Sequence, residues 1–90
     1  MFGGEKLKQL ENLGMLRILY YIYKNGPQLT TRIQAEIDIS NDAYYNSRNR
    51  LIDMGFIHRE IDKYGTITPF MLTEKGKDVA EQVSNLLKHL

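Results

Sequence analysis

The sequence predicts a mainly helical α+β domain, with three helices, a β-hairpin and a final helix in that order. Three observations lead there. Apolar residues recur three and four positions apart in separate stretches, which is the period of a helix face. Glycine and proline punctuate those stretches at Gly26-Pro27 and at Gly55, where a helix has to stop. Two runs rich in strand-forming residues, 56–61 and 67–72, flank a short polar segment that holds Gly65, the pattern of a hairpin.

In the first helix Leu16, Leu19, Ile22 and Tyr23 share one face, and Asn25-Gly26-Pro27 ends it. Leu7, Leu10 and Leu13 continue a similar stripe upstream, although Gly14 intervenes and glycine costs about 1 kcal/mol relative to alanine inside a helix. Residues 5–13 are therefore either the first turns of this helix or a separate one. After Pro27, Leu29 offers a stub of strand. Thr30 or Thr31 then caps a second helix of barely two turns carrying Ile33, Ala35, Glu36 and Ile37, since a hydroxyl oxygen can accept from the free N–H groups of a first turn. Asp38-Ile39-Ser40 makes a tight connection, and Ser40 or Asn41 caps the third helix, from about Asp42 to Met54. Gly55 stands where a left-handed C-terminal cap is wanted.

The hairpin follows. Pro69 cannot donate to a sheet ladder, so its strand should keep a free edge there. Thr73 caps the last helix, in which Val79, Val83, Leu86 and Leu90 recur at helical spacing and Ala80 and Leu87 widen the stripe. The whole chain, residues 1–90, reads as one domain.

Composition narrows the function. With 42% hydrophobic and 26% charged residues the chain is an ordinary globular domain. No apolar stretch approaches the roughly 18 residues of a membrane span. The start, Met1-Phe2-Gly3-Gly4-Glu5-Lys6, lacks the basic, apolar and small-residue segments of a secretory leader. The absence of cysteine excludes disulfides and thiolate metal sites. A cytoplasmic location is expected. Neither a glycine-rich phosphate loop nor a nucleophile with a spaced base is visible, so no enzyme is expected. His58 and His89 alone do not make a metal site, and no cofactor is expected.

The net charge of +1 says little, but its distribution is uneven. Between Leu13 and Ala35 the charged residues are Arg17, Lys24 and Arg32, with no acid, and Arg48, Arg50 and Arg59 follow; acids gather at Glu36, Asp38, Glu74, Asp78 and Glu81.

Leu51-Ile52-Asp53-Met54-Gly55-Phe56-Ile57 resembles the end of a recognition helix entering a wing, and Leu72-Thr73-Glu74-Lys75-Gly76 resembles the segment leaving one. With the element order, these make the chain similar, over roughly residues 14–78, to winged helix-turn-helix proteins, in particular small MarR-like and archaeal regulators. The resemblance implies double-stranded DNA as a partner and transcription regulation as the role. The third helix would then lie in a major groove roughly 12 Å wide.

At about 100° per residue, Tyr44, Ser47 and Leu51 share the inward side of that helix, with Arg48 at its margin. Asp42, Asn46, Asn49 and Asp53 face outward, flanked by Tyr45 and Arg50. Asn46 and Asn49 suit paired hydrogen bonds to adenine, Arg50 suits guanine or phosphate, and Tyr45 suits a thymine methyl or phosphate. Asn41 at the helix start belongs to the same candidate surface. Such residues also occur on ordinary solvated helices; what favours recognition is that the outward face avoids strong helix formers. At the hairpin tip Lys63, Tyr64 and Thr66 surround Gly65 and can reach phosphate or the minor groove. Thr31 and Arg32 at the start of the second helix can hold a phosphate or simply cap.

The terminal stripes predict a homodimer built from residues of about 5–13 and 74–90, through Leu7, Leu10, Val79, Val83, Leu86 and Leu90. The alternatives are that both stripes fold back on their own domain, and, for function, that the domain binds protein or RNA, or DNA with little sequence preference. Target sequence, direction of regulation and any small-molecule effector are not legible.

Overall fold

A computed structural model describes residues 14–59 and 69–89 of the chain. In order they form α1 (Met15–Asn25), α2 (Thr30–Glu36), α3 (Asn41–Asp53), β1 (Ile57–Arg59), β2 (Phe70–Leu72) and α4 (Glu74–Lys88). The predicted order of elements holds among the described residues. Residues 5–13 with Leu7, Leu10 and Leu13, the segment expected to form the hairpin tip with Lys63, Tyr64 and Thr66, and Leu90 lie outside the described residues.

Gly14 is left-handed, with φ 77°, and is the N-cap of α1, so α1 begins there. The buried face of α1 is Met15, Ile18, Leu19 and Ile22. This corrects the sequence reading by about one position, since Leu16 is only partly buried and Tyr23 is exposed. The four buried residues still keep the three-and-four spacing. α1 is the central element, packing against α2, α3, α4 and β2.

Two further readings are corrected. The N-cap of α2 is Leu29, and no side chain caps that helix. Thr30 sits inside the first turn, where its hydroxyl accepts from the Tyr44 hydroxyl at 3.0 Å, so a tertiary bond displaces the expected local one. Nor does Leu29 form the strand stub. Gln28 does, exchanging backbone hydrogen bonds of 3.0 and 2.9 Å with Phe70. The free edge expected beside Pro69 is thus closed one residue later. α3 starts at Asn41, with the Ser40 hydroxyl accepting from the Ala43 N–H at 3.2 Å. β1 and β2 are antiparallel, with Ile57, His58 and Arg59 opposite Leu72, Met71 and Phe70.

The passage from α3 into the sheet and out to α4 is tied at one place. Gly55, with φ 78°, turns the chain out of α3 in a conformation that costs a side-chain-bearing residue about 1–2 kcal/mol. The Phe56 carbonyl accepts from the Thr73 N–H at 3.0 Å, and the Thr73 hydroxyl caps α4 by accepting from the Gly76 N–H at 3.0 Å. Lys75 Nζ donates to the Met54 carbonyl at 3.0 Å and lies 5.1 Å from the centre of the Phe56 ring. Gly76 is buried against the same carbonyl: a Cβ there would stand 1.9 Å from the Phe56 oxygen.

That clash is with backbone, which cannot rotate away. Gly76→Ala should therefore destabilise by about 3 kcal/mol, at the upper end of overpacking costs. Gly55→Ala meets nothing within 4 Å and should cost only the left-handed penalty of about 1–2 kcal/mol. Urea unfolding of both variants checks this, and the reverse order of losses would contradict the packing described.

Candidate nucleic-acid interface

α3 divides cleanly into two faces. Tyr44, Ser47 and Leu51 are fully buried, the inward set that helical periodicity predicts. Asn41, Asp42, Tyr45, Asn46, Asn49, Arg50, Ile52 and Asp53 are exposed and Arg48 is half-buried. Two tyrosines at adjacent positions therefore have different environments. The Tyr44 and Tyr45 rings meet at 74° with their centres 5.2 Å apart, but Tyr45 is 43% exposed.

Tyr44 joins α3 to α2. Its hydroxyl is buried and bonded to Thr30, and burial, the largest influence, raises its pKa above the ordinary 10.0. A second tie comes from Gln34 Nε2, which donates to Asn41 Oδ1 at 2.9 Å. A third comes from α1, where Arg17 donates to the Asp38 carbonyl at 2.8 Å in the α2–α3 connection. Together these hold the angle between the two helices, and thereby aim the exposed face of α3. Asn41 is thus engaged in positioning α3 as well as standing at its exposed start.

The arginines divide into those the sequence singled out and those it passed over. Arg50 is exposed on the outward face. Arg32 is also exposed, and its guanidinium lies 3.5 Å from Glu36; a surface pair of this kind contributes little and leaves the guanidinium available. Thr31 is exposed beside it. Arg48 and Arg59 had no assigned part in the interface. Their guanidinium carbons lie 5.5 and 5.1 Å from the centre of the Phe70 ring, so two cations from α3 and β1 meet over one buried aromatic of β2. Among the described residues no carboxylate stands within ion-pairing distance of either. Only Phe70, distant in sequence, brings them together, and no local pattern could have announced it.

A cavity of about 330 Å³ is lined by Ile22, Tyr23, Gly26, Pro27, Met71, Leu72 and Lys77. Among the described residues no group of three potential ligands could hold a metal, and no helix is long and apolar enough to cross a membrane.

The order of the helices and the antiparallel strand pair is that of a winged helix-turn-helix protein, and solved structures show what it is similar to. The chain superimposes on a possible HxlR family transcriptional factor from Thermoplasma volcanium with a TM-score of 0.78 and 29% identity, covering 92% of this chain and 75% of that one. It matches F-93 of SSV1 with a TM-score of 0.65 and 25% identity over 83% of this chain and 86% of that one. The transcriptional regulator SlyA gives a TM-score of 0.74 and 26% identity over 84% of this chain, which spans only 54% of SlyA. No protein-family profile and no curated protein sequence matches the chain. The protein is a winged helix-turn-helix protein resembling small MarR-like and archaeal winged-helix regulators. Its neighbours of known role are regulators of transcription, not enzymes.

Tyr44 supplies a stability test. Because its folded pKa is raised, the unfolded chain loses this proton first as pH climbs past about 10, so the contribution is intact below that pH and is lost as pH rises through the folded value. Tyr44→Phe should cost about 1 kcal/mol at neutral pH for the lost hydrogen bond and should flatten the alkaline decline. Urea midpoints from neutral to alkaline pH check it. Parallel declines in both proteins would show that Tyr44 is not the group responsible.

Proposed function

We propose that the chain is a transcription regulator that binds double-stranded DNA sequence-specifically as a homodimer, in the cytoplasm. One observation carries the reading: α3 exposes Tyr45, Asn46, Asn49 and Arg50 on one continuous face while three buried residues and three tertiary hydrogen bonds fix its direction. Asparagine, arginine and tyrosine are the side chains that bond base edges and phosphates. The similarity to a possible transcriptional factor and to SlyA, a transcriptional regulator, supports the same role.

In this reading Asn46 and Asn49 meet base edges, with Asn41, Tyr45 and Arg50 beside them. Thr31 and Arg32 hold the flanking backbone, and Lys63, Tyr64 and Thr66 contact phosphate or the minor groove. Asp42 complements the helix dipole in the first turn of α3. Asp53, at the last turn, falls outside the contact.

The dimer is supported by α4. Gly76 and Ala80 are buried and Val79 and Val83 half-buried, whereas Leu86 and Leu87 are 62% and 44% exposed. An apolar stripe that outruns its own domain fits a second copy, with Val79, Val83, Leu86 and Leu90 meeting Leu7 and Leu10.

Asn46→Ala should cost about 1–3 kcal/mol at a single base position without unfolding the domain. Lys63→Ala should instead weaken binding to all sequences alike and reduce the salt slope by about one. Affinity measured against site variants and against salt separates the two. Unchanged profiles in both variants, or no DNA binding at low salt, would transfer support to a protein- or RNA-binding role.

Sedimentation equilibrium should show a dimer at micromolar concentration that Leu86→Lys weakens, and bound sites should be inverted repeats spaced by whole DNA turns of ~10 base pairs. A monomer at high micromolar concentration would remove the dimer from the account.

A further inference from the structure

The Arg48 guanidinium is held on three sides. It lies 4.8 Å from the centre of the Tyr45 ring, 5.5 Å from that of Phe70 and 6.0 Å from that of Tyr44. Cations favour the faces of aromatic rings, more so where water is partly excluded. From this position both Nε and Nη2 donate to the side chain of Asn49, at 3.3 and 3.1 Å. A guanidinium has only donors. The amide atom it faces must therefore be the oxygen, which accepts from both of these donors. The Asn49 NH2 group is left as the free end of an exposed side chain.

This bears on which base Asn49 can read. The paired bond of asparagine to adenine needs the amide oxygen to accept from the adenine N6 amino group while the amide nitrogen donates to N7. In this structure the oxygen is already committed. What remains is a pure donor with two hydrogens, and the major-groove edge that offers two adjacent acceptors is that of guanine, at N7 and O6. We propose that Arg48 is a positioning residue which, by holding the Asn49 oxygen, converts that asparagine from an adenine reader into a guanine reader. The proposal rests on α3 entering the major groove, and it replaces adenine with guanine as the partner of Asn49 alone. Among the described residues no guanidinium holds the Asn46 amide in this way, and Asn46 keeps the adenine preference.

The test is selection of bound duplexes from a random pool by the full chain, by Asn49→Ala and by Arg48→Met, each checked for folding by circular dichroism. Wild type should enrich guanine at one position of each half-site, and Asn49→Ala should flatten that position only. Arg48→Met keeps an apolar stem against the rings but releases the amide oxygen. It should shift the same position toward adenine by roughly tenfold or more in the guanine-to-adenine ratio, in line with the discrimination of a bidentate contact. A loss of packing alone would weaken binding at every position and leave that ratio where it was. Adenine at the Asn49-dependent position in wild type, or a ratio unmoved by Arg48→Met, overturns the proposal and leaves DNA recognition standing. Enrichment of no sequence at all overturns the sequence-specific reading, and this proposal with it, whether or not DNA is still bound without preference.

Discussion

The structure depends most on the contact between the Phe56 carbonyl and the start of α4. That oxygen accepts from the Thr73 N–H, and Gly76, with no side chain, lets the first turn of α4 lie directly against it. Several consequences follow from one close approach. The helix is brought in at an angle that lets Ala80 bury against α1, β2 is held in register with β1, and Met54 at the end of α3 is tied through Lys75. Phe70, in the strand so fixed, supplies the ring over which Arg48 and Arg59 meet. The surface of α3 is thus tied to a glycine and a carbonyl where β1 meets the start of α4.

The exposed face of α3 draws its definition from rigidity more than from charge. With a net charge of only +1, the chain has no long-range field to rely on, so directional hydrogen bonds have to do the discriminating. Aiming them requires that α3 not rock. Tyr44 to Thr30, Gln34 to Asn41 and Arg17 to the Asp38 carbonyl each cross from a neighbouring helix to α3 or its entry. A change in any of them would alter recognition without touching a base.

Much of this was legible in the sequence because it is local or periodic. The inward set Tyr44, Ser47 and Leu51 follows from helical spacing, and the caps at Ser40 and Thr73 and the left-handed turn at Gly55 follow from short-range rules. The misreadings lie where a distant partner intervenes. Thr30 looked like a cap until Tyr44, fourteen residues on, claimed its hydroxyl. Gln28, not Leu29, pairs with the sheet because Phe70 presents its backbone there. Gly76 could be seen as part of a familiar segment, but its reason, a carbonyl of Phe56, is a tertiary fact. Arg48 stood at the margin of two faces by angle alone, and only the rings around it decide what it does.

The central claim is that the outward face of α3 is the surface that meets DNA. Amide and side-chain NMR shifts of the full chain, titrated with duplex DNA at low salt, test it most directly. The account predicts the largest changes at Tyr45, Asn46, Asn49 and Arg50, with the side-chain amide signals of both asparagines among them, and small changes along α1 at half-buried Tyr20 and exposed Lys24. Changes centred on α1 or α4 with α3 unmoved, or no changes at any DNA concentration, would contradict it.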